Sequence, residues 1–219
     1  MNKIKKGIFL DFDGTLVESL HLIKRSYDDI LKTYGKVGSN EEFHALCGPP
    51  THIFLENILK MYNLPTTVDI LMEHHDKNLR TFYQNVAPIS GSLELIKTAA
   101  LHKWIIGIIT SNNRNLIEQW ILENNLASYI SFIIDAKSIK QGKPHPEPYL
   151  KGLEFSHCLP ENSIAVEDSL IGVSSALAAG LTTFFLAPSL SFSQKEEITN
   201  HFPSLKIIST LKEVINWIS

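Results

Sequence analysis

Asp11 and Asp13 stand two residues apart at the end of the apolar run Ile8-Phe9-Leu10 and directly before Gly14-Thr15. Taken alone, Asp-x-Asp-Gly is also what a turn looks like, because Asp and Gly favour turns. Its company gives it more weight. Thr110-Ser111-Asn112 closes a second apolar run, Lys143 stands in Gly142-Lys143-Pro144, and Glu167-Asp168 follows the run Ser163 to Val166. Carboxylates gathered near one point repel by about 4 kcal/mol per pair at about 4 Å and an effective dielectric near 20, unless a cation sits among them. Magnesium is the natural candidate, a hard ion held by one or two carboxylates, waters and a substrate phosphate. A calcium loop of the EF-hand type does not fit, because its sixth and twelfth positions would be Leu16 and Leu22 instead of Gly and Glu. Thr110, Ser111 and Asn112 occupy a strand-to-helix turn whose hydroxyls, amide and backbone N–H groups can cradle a phosphate. The same residue types also cap helices. Lys143 is followed by Pro144, Pro146 and Pro148, so it belongs to a loop, from which its ammonium could offset a phosphate oxygen and a neighbouring Asp.

To act together these residues need a scaffold that gathers strand ends. The first strand is expected over Ile4 to Phe12. From Ser19 to about Tyr83 the spacing is helical throughout, as in Leu20, Ile23, Tyr27, Ile30 and Leu31. Breaks at Gly35 to Asn40, at Gly48-Pro49-Pro50 and near Leu64-Pro65 divide that stretch into about four helices. After Pro88 and Gly91, helices alternate with short buried strands, the pattern of a parallel sheet covered on both faces. Strands are expected at Trp104 to Thr110, Ile130 to Ile134, Ser163 to Val166, Leu181 to Leu186 and Leu205 to Ile208. Helices are expected at Ser92 to Leu101, Arg114 to Asn124, from about Glu147, at Gly172 to Ala179 and at the end of the chain. The fold class is therefore α/β: a Rossmann-like, doubly wound parallel sheet with an inserted all-helical domain. In such sheets ligands bind beyond the carboxyl ends of the strands, where the polar residues named above would lie.

Composition bounds the remaining choices. The chain has 219 residues, 44 % hydrophobic and 20 % charged, which suits a soluble domain with a sizeable core plus an insert. A net charge of -3 argues against a nucleic-acid binder that works by neutralising many phosphates. Cys47 and Cys158 form neither a disulfide framework nor a zinc spacing and are read as free thiols. The basic start, Met1 to Gly7, is followed by an apolar run that stops at Asp11, too short for a signal peptide, and no run approaches a membrane span. A cytoplasmic location is expected, with no membrane partner and a monomer as the default state, a dimer being the alternative.

Asp11-Phe12-Asp13-Gly14-Thr15-Leu16-Val17-Glu18-Ser19, Thr110, Lys143 and Val166-Glu167-Asp168-Ser169 resemble, in order and separation, the four motifs of the haloacid dehalogenase-like hydrolase superfamily. The resemblance covers essentially the whole chain. The helical stretch is similar to the C1 cap of the phosphoglycolate phosphatase and β-phosphoglucomutase-like branch, which implies a core of residues 1–16 and 87–219 and a cap of residues 17–86. It further implies a magnesium-dependent phosphatase acting on a small phosphorylated metabolite. Asp11 would be the nucleophile, forming an aspartyl-phosphate, and Asp13 the acid and base, with its backbone carbonyl on the metal. Thr110 and Lys143 would hold phosphoryl oxygens, and Asp168, with Glu167 near the ion or its waters, would complete the magnesium site. Gly14, Ser111 and Asn112 are expected to contact the substrate.

Two other functions share this core. A sugar-phosphate mutase of the β-phosphoglucomutase type would be expected to carry a cap histidine twelve residues after the nucleophile, where this chain has Ile23, and Gly48-Pro49-Pro50 looks more like the phosphatase loop. A non-catalytic phosphate-binding or interaction module of the receiver type would lack the insert and the second Asp. Within the cap, His21, Lys24, Arg25 and His52 are candidates for touching the leaving group. His145 follows Lys143 by two residues and is expected in solvent, and the other histidines of the nine, including His74 and His75, are expected on helix surfaces.

Overall fold

The computed structural model describes residues 4–47 and 49–219. The expectations resting on Met1 to Lys3 and on Gly48 lie outside the described residues. Six strands, β1 (Gly7–Leu10), β2 (Ile105–Ile109), β3 (Ile130–Ile134), β4 (Ser163–Glu167), β5 (Thr182–Leu186) and β6 (Lys206–Ile208), form one sheet in the order β3-β2-β1-β4-β5-β6. Every neighbouring pair is parallel. The chain winds outward from β1 to β3, then returns to place β4 on the other side of β1. That reversal opens a crevice at the carboxyl ends of β1 and β4.

Between β1 and the rest of the sheet the chain forms α1 (Leu20–Thr33), α2 (Asn40–Leu46), α3 (Thr51–Tyr62) and α4 (Val68–Phe82). Their stops have local causes. A capping box, Ser39 with Glu42, starts α2, Pro50 precedes α3, and Asn63 ends it in the left-handed conformation. These helices enclose an apolar cluster of their own, in which Tyr27, Ile30, Phe43, Phe54, Ile58 and Leu71 are buried together. The insert therefore has its own packing and is not merely draped over the sheet.

The sheet is covered by α5 (Ser92–Leu101), α6 (Arg114–Glu123), α7 (Glu147–Ser156), α8 (Leu170–Ala178), α9 (Phe192–His201) and α10 (Leu211–Ile218). Alternation along β1 sorts its side chains between two layers. Ile8 and Leu10 pack with Leu95, Ile117 and Val214, whereas Phe9 packs with Tyr149, Leu153 and Ala176 on the opposite face. The first strand is shorter than its apolar run. Ile4 is exposed, and beyond Asp11 the Phe12 carbonyl turns to accept the N–H groups of Leu16 and Val17. The helix α9 was not anticipated because it has no buried residue and so no apolar stripe; its one sequence signal is the capping box Ser191-x-x-Gln194. Among the described residues no helix is long and apolar enough to cross a membrane. Both cysteines are free.

Candidate active site

Asp11 follows β1, and its N–H donates to the Val166 carbonyl at 3.0 Å, which holds it level with the end of β4. That end carries Glu167 and Asp168, and carboxylate oxygens of Asp11, Glu167 and Asp168 lie within 4.8 Å of one another. The Lys143 ammonium sits among them. It donates to Asp11 Oδ1 at 2.6 Å and to the Ile109 carbonyl at 3.0 Å, and it pairs with Glu167 Oε1 at 2.5 Å. Tyr149 on α7 donates its hydroxyl to the same Glu167 oxygen. Gly14 makes this density possible. Its φ of +77° is in the left-handed region, and a Cβ there would come within 1.9 Å of the Asp168 carboxylate.

Burial pushes the Asp11 carboxyl well above the carboxylate range, against the pull of Lys143 and with Glu167 and Asp168 adding to the rise. Asp168 is pushed up to about 8, by burial first and then by Glu167. Burial alone would lower Lys143, but the Asp11 and Glu167 carboxylates hold it well above the ordinary lysine value. Two buried carboxylates and the half-buried Asp168 thus face one ammonium, and ionising all three needs a further cation. This donor set, all hard oxygen with an excess of two negative charges, fits a divalent ion such as magnesium. Asp11 and Asp168 retain donor capacity for it, while Glu167 is already taken up by Lys143 and Tyr149.

The Asp13 carboxylate is held by a separate pair of donors. Tyr83, just past the end of α4, donates its hydroxyl to Asp13 Oδ1, and Asn112 Nδ2 donates to Asp13 Oδ2 at 3.0 Å. Thr110 is buried at the end of β2, where its N–H donates to the Ile134 carbonyl at 2.9 Å and its Oγ1 accepts the Asn112 N–H at 3.0 Å. Capping of α6 is carried out by Asn113, whose side chain accepts the Asn115 N–H at 3.1 Å. Thr110, Ser111 and Asn112 are therefore not consumed as caps and line the cavity.

That cavity, of about 280 Å³, lies between sheet and insert. Its floor is Asp11, Asp13, Thr110, Lys143 and Asp168, and its roof includes Leu20, Ile23, Phe54, His75 and Leu79. It adjoins a second cavity of about 170 Å³ that shares Thr51, His75, Ser111 and Asn112.

The pattern described as "Haloacid dehalogenase-like hydrolase" matches residues 8–186. The chain belongs to the haloacid dehalogenase-like hydrolase family. Pyrophosphatase PpaX of Oceanobacillus iheyensis is 26 % identical over 96 % of this chain and 95 % of its own length. The phosphorylated carbohydrates phosphatase of Thermotoga maritima is 23 % identical over 82 % of this chain and 84 % of its own. Among solved structures, CbbY of Rhodobacter sphaeroides in complex with xylulose-1,5-bisphosphate superposes with a TM-score of 0.81 at 19 % identity, covering 94 % of this chain and 95 % of that one.

For this haloacid dehalogenase-like hydrolase, the strand-end residues named from sequence are brought together, and most of the named insert residues are not. Lys24 pairs with Asp28 at 2.6 Å, the Arg25 guanidinium lies 4.1 Å from the Phe82 ring centroid, His21 is exposed, and none of the three lines the cavity. His52 reaches only the adjoining cavity. His145 is exposed and its ring accepts the Glu147 N–H at 3.1 Å. The expectation that His75 lies on a helix surface is overturned: it is 3 % exposed, its Nδ1 is 2.8 Å from Ser26 Oγ, and its ring lines the cavity. It is on the inner face of α4 with Leu71 and Leu79, four residues to either side, a spacing that was available in the sequence. Tyr83 and Tyr149 were also missed; each partners a carboxylate from a distant segment, and no local pattern marks such a pairing.

Proposed function

We propose that this hydrolase cleaves a small-molecule phosphate monoester through an aspartyl-phosphate on Asp11, with magnesium as cofactor and the helical insert as cap. The carrying observation is the Asp11 carboxylate held by Lys143 at 2.6 Å beside Asp168 and below the cavity between sheet and insert. In the first step an Asp11 oxygen attacks phosphorus, the ester P–O bond breaks, and protonated Asp13 gives its proton to the departing oxygen. In the second, Asp13 takes a proton from water, the water oxygen attacks phosphorus, and the bond to Asp11 breaks to release inorganic phosphate. Tyr83 and Asn112 orient Asp13 for both transfers. Lys143, Thr110 and the Ser111 backbone N–H hold the phosphoryl oxygens as charge builds. Magnesium, held by Asp11, Asp168 and the Asp13 carbonyl with Glu167 behind Lys143, would screen Asp11 from the dianionic substrate.

The activities that PpaX and the Thermotoga phosphatase are named for support phosphoryl chemistry as the reaction class. Ile23, an apolar residue in the roof, favours hydrolysis over return of the phosphoryl group to a sugar. The test is phosphate release from a panel of small esters with magnesium, by the native protein and by Asp11→Asn and Asp13→Asn. Turnover should fall by about 10³-fold or more in both variants and vanish with chelator. Full activity in Asp11→Asn, or activity indifferent to chelator, would sink the mechanism.

A further inference from the structure

The floor of the cavity accounts for the phosphoryl group, but the roof has a character of its own. Leu20, Ile23, Phe54 and Leu79 are apolar, and half-buried Cys47 and Thr51 and buried His75 supply uncharged polar groups, with exposed His44 at the rim. Among the described residues, no lysine or arginine of the insert lines either cavity; Lys24 pairs with Asp28, Arg25 lies over the face of Phe82, and Lys60 pairs with Glu56 at 3.5 Å. Lys143, which lines the floor, is already held by Asp11 and Glu167. The adjoining cavity holds Lys137, but together with Asp76 and Asp135, so it presents no positive excess. A leaving group that carried its own carboxylate or phosphate would enter this roof unpaired, and an unpaired charge in an apolar surrounding is strongly disfavoured.

His75 sharpens the picture. Ser26 Oγ accepts from Asn78 Nδ2 at 3.3 Å and lies 2.8 Å from His75 Nδ1. With the serine's hydrogen directed to Nδ1, the ring carries its proton on Nε2. Burial, reinforced by His74, lowers this histidine to about 4, so the ring is neutral at pH 7. A neutral Nε2–H is a donor for a hydroxyl or ether oxygen without being a counter-ion for an anion.

Resting on the phosphatase reading, we propose that the roof selects phosphate monoesters of uncharged alcohols, with the His75 Nε2–H donating to an oxygen of the leaving group. Polyol, sugar and similar hydroxylated phosphates belong to this class; inorganic pyrophosphate and phosphorylated carboxylic acids do not. This departs from the activity PpaX is named for, since pyrophosphate releases an anionic phosphate.

The experiment compares kcat/KM of the native protein, with magnesium, for glycerol 1-phosphate and a set of aldose and polyol phosphates against pyrophosphate, 2-phosphoglycolate and 3-phosphoglycerate. The best neutral-alcohol ester should exceed every anionic one by about tenfold or more. If pyrophosphate or phosphoglycolate is the best substrate, the proposal fails and the phosphatase reading stands; silence towards all of them removes both. For His75, the His75→Leu variant should raise KM for the best neutral ester about tenfold with kcat within a factor of about two. His75→Gln, which keeps an N–H near the Nε2 position, should recover most of that loss, and His75→Lys should shift preference towards the anionic esters. An unchanged KM in folded His75→Leu, or loss of kcat alone, overturns the assignment of His75.

Discussion

The floor and the roof of the cavity are built on opposite electrostatic terms. The floor concentrates charge: Asp11, Glu167 and Asp168 are packed about one ammonium, and Glu167 and Lys143 are almost without solvent. The roof avoids charge. Lys24 and Arg25 are engaged with Asp28 and Phe82 outside it, and the buried His75 ring that lines it is kept neutral by burial and by His74. A floor of this kind suits a fixed reaction on a fixed group, because the strand ends fix where its carboxylates stand. A roof of this kind discriminates by exclusion, since what it cannot neutralise it does not admit. The comparison also locates fragility: the floor fails by losing a charge partner, the roof by gaining a charge.

The largest expected effect comes from breaking the floor. Lys143→Met keeps the bulk but leaves Asp11 and Glu167 facing each other without the ammonium at 2.6 and 2.5 Å. Removing one partner of a buried ion pair destabilises by about 3–5 kcal/mol, and loss of the phosphoryl contact should lower kcat by about 10² to 10³-fold. Urea unfolding with and without magnesium, together with steady-state kinetics, measures both. A stability change under about 1 kcal/mol would mean the carboxylates are already protonated or solvated and the floor is not the charged frame described.

A smaller effect is expected where floor and insert meet. Tyr83 stands just past α4, at the end of the insert, yet its buried hydroxyl donates to Asp13 on the floor, and Asn112 Nδ2 lies 3.3 Å from the same hydroxyl. Tyr83→Phe removes one of the two donors that orient Asp13. We expect kcat to fall about tenfold with KM nearly unchanged, and stability to fall by about 1 kcal/mol. If KM rises while kcat is held, Tyr83 belongs to the roof and not to the proton-transfer step.

The two regions also differ in how readable they are. The floor could be read from sequence because Asp11, Thr110 and Asp168 lie at the ends of apolar strands that the strand order forces together, and Lys143 lies in a proline-rich loop that can reach them. Asp11, Thr110, Lys143 and Asp168 were all named from the sequence. Even there the reading stopped at the partners: nothing local to Tyr149 or Tyr83 reveals the carboxylate each one meets, because those contacts exist only after the sheet and insert are assembled. The roof was read poorly for a related reason. Its residues come from helices and from the loops between them, and polarity drew the eye to His21, Lys24 and Arg25, which are polar because they face solvent or a neighbour. His75, which does line the cavity, is hidden in the apolar stripe of α4. A histidine at a core position of a helix is a more useful sign of a roof contact than a charged residue on its outer face.

The mildest prediction tests the neutrality of the roof directly. In an unfolded chain His75 would titrate near 6.5, whereas in the folded protein burial and the neighbouring His74 lower it to about 4. Between those values the unfolded state binds a proton that the folded state does not, so this contribution to stability is complete above pH 6.5 and declines as pH falls towards 4. Lowering the pH from 7.5 to 5.0 should therefore cost the native protein about 2 kcal/mol more than it costs His75→Leu, in which the site cannot titrate. The floor carboxylates also titrate, but they are common to both proteins and cancel in the comparison, provided both are measured without magnesium. Urea midpoints at the two pH values supply the difference. Parallel losses would show that the folded protein accommodates a charged His75, and a roof that tolerates a cation would no longer have a reason to reject anionic leaving groups.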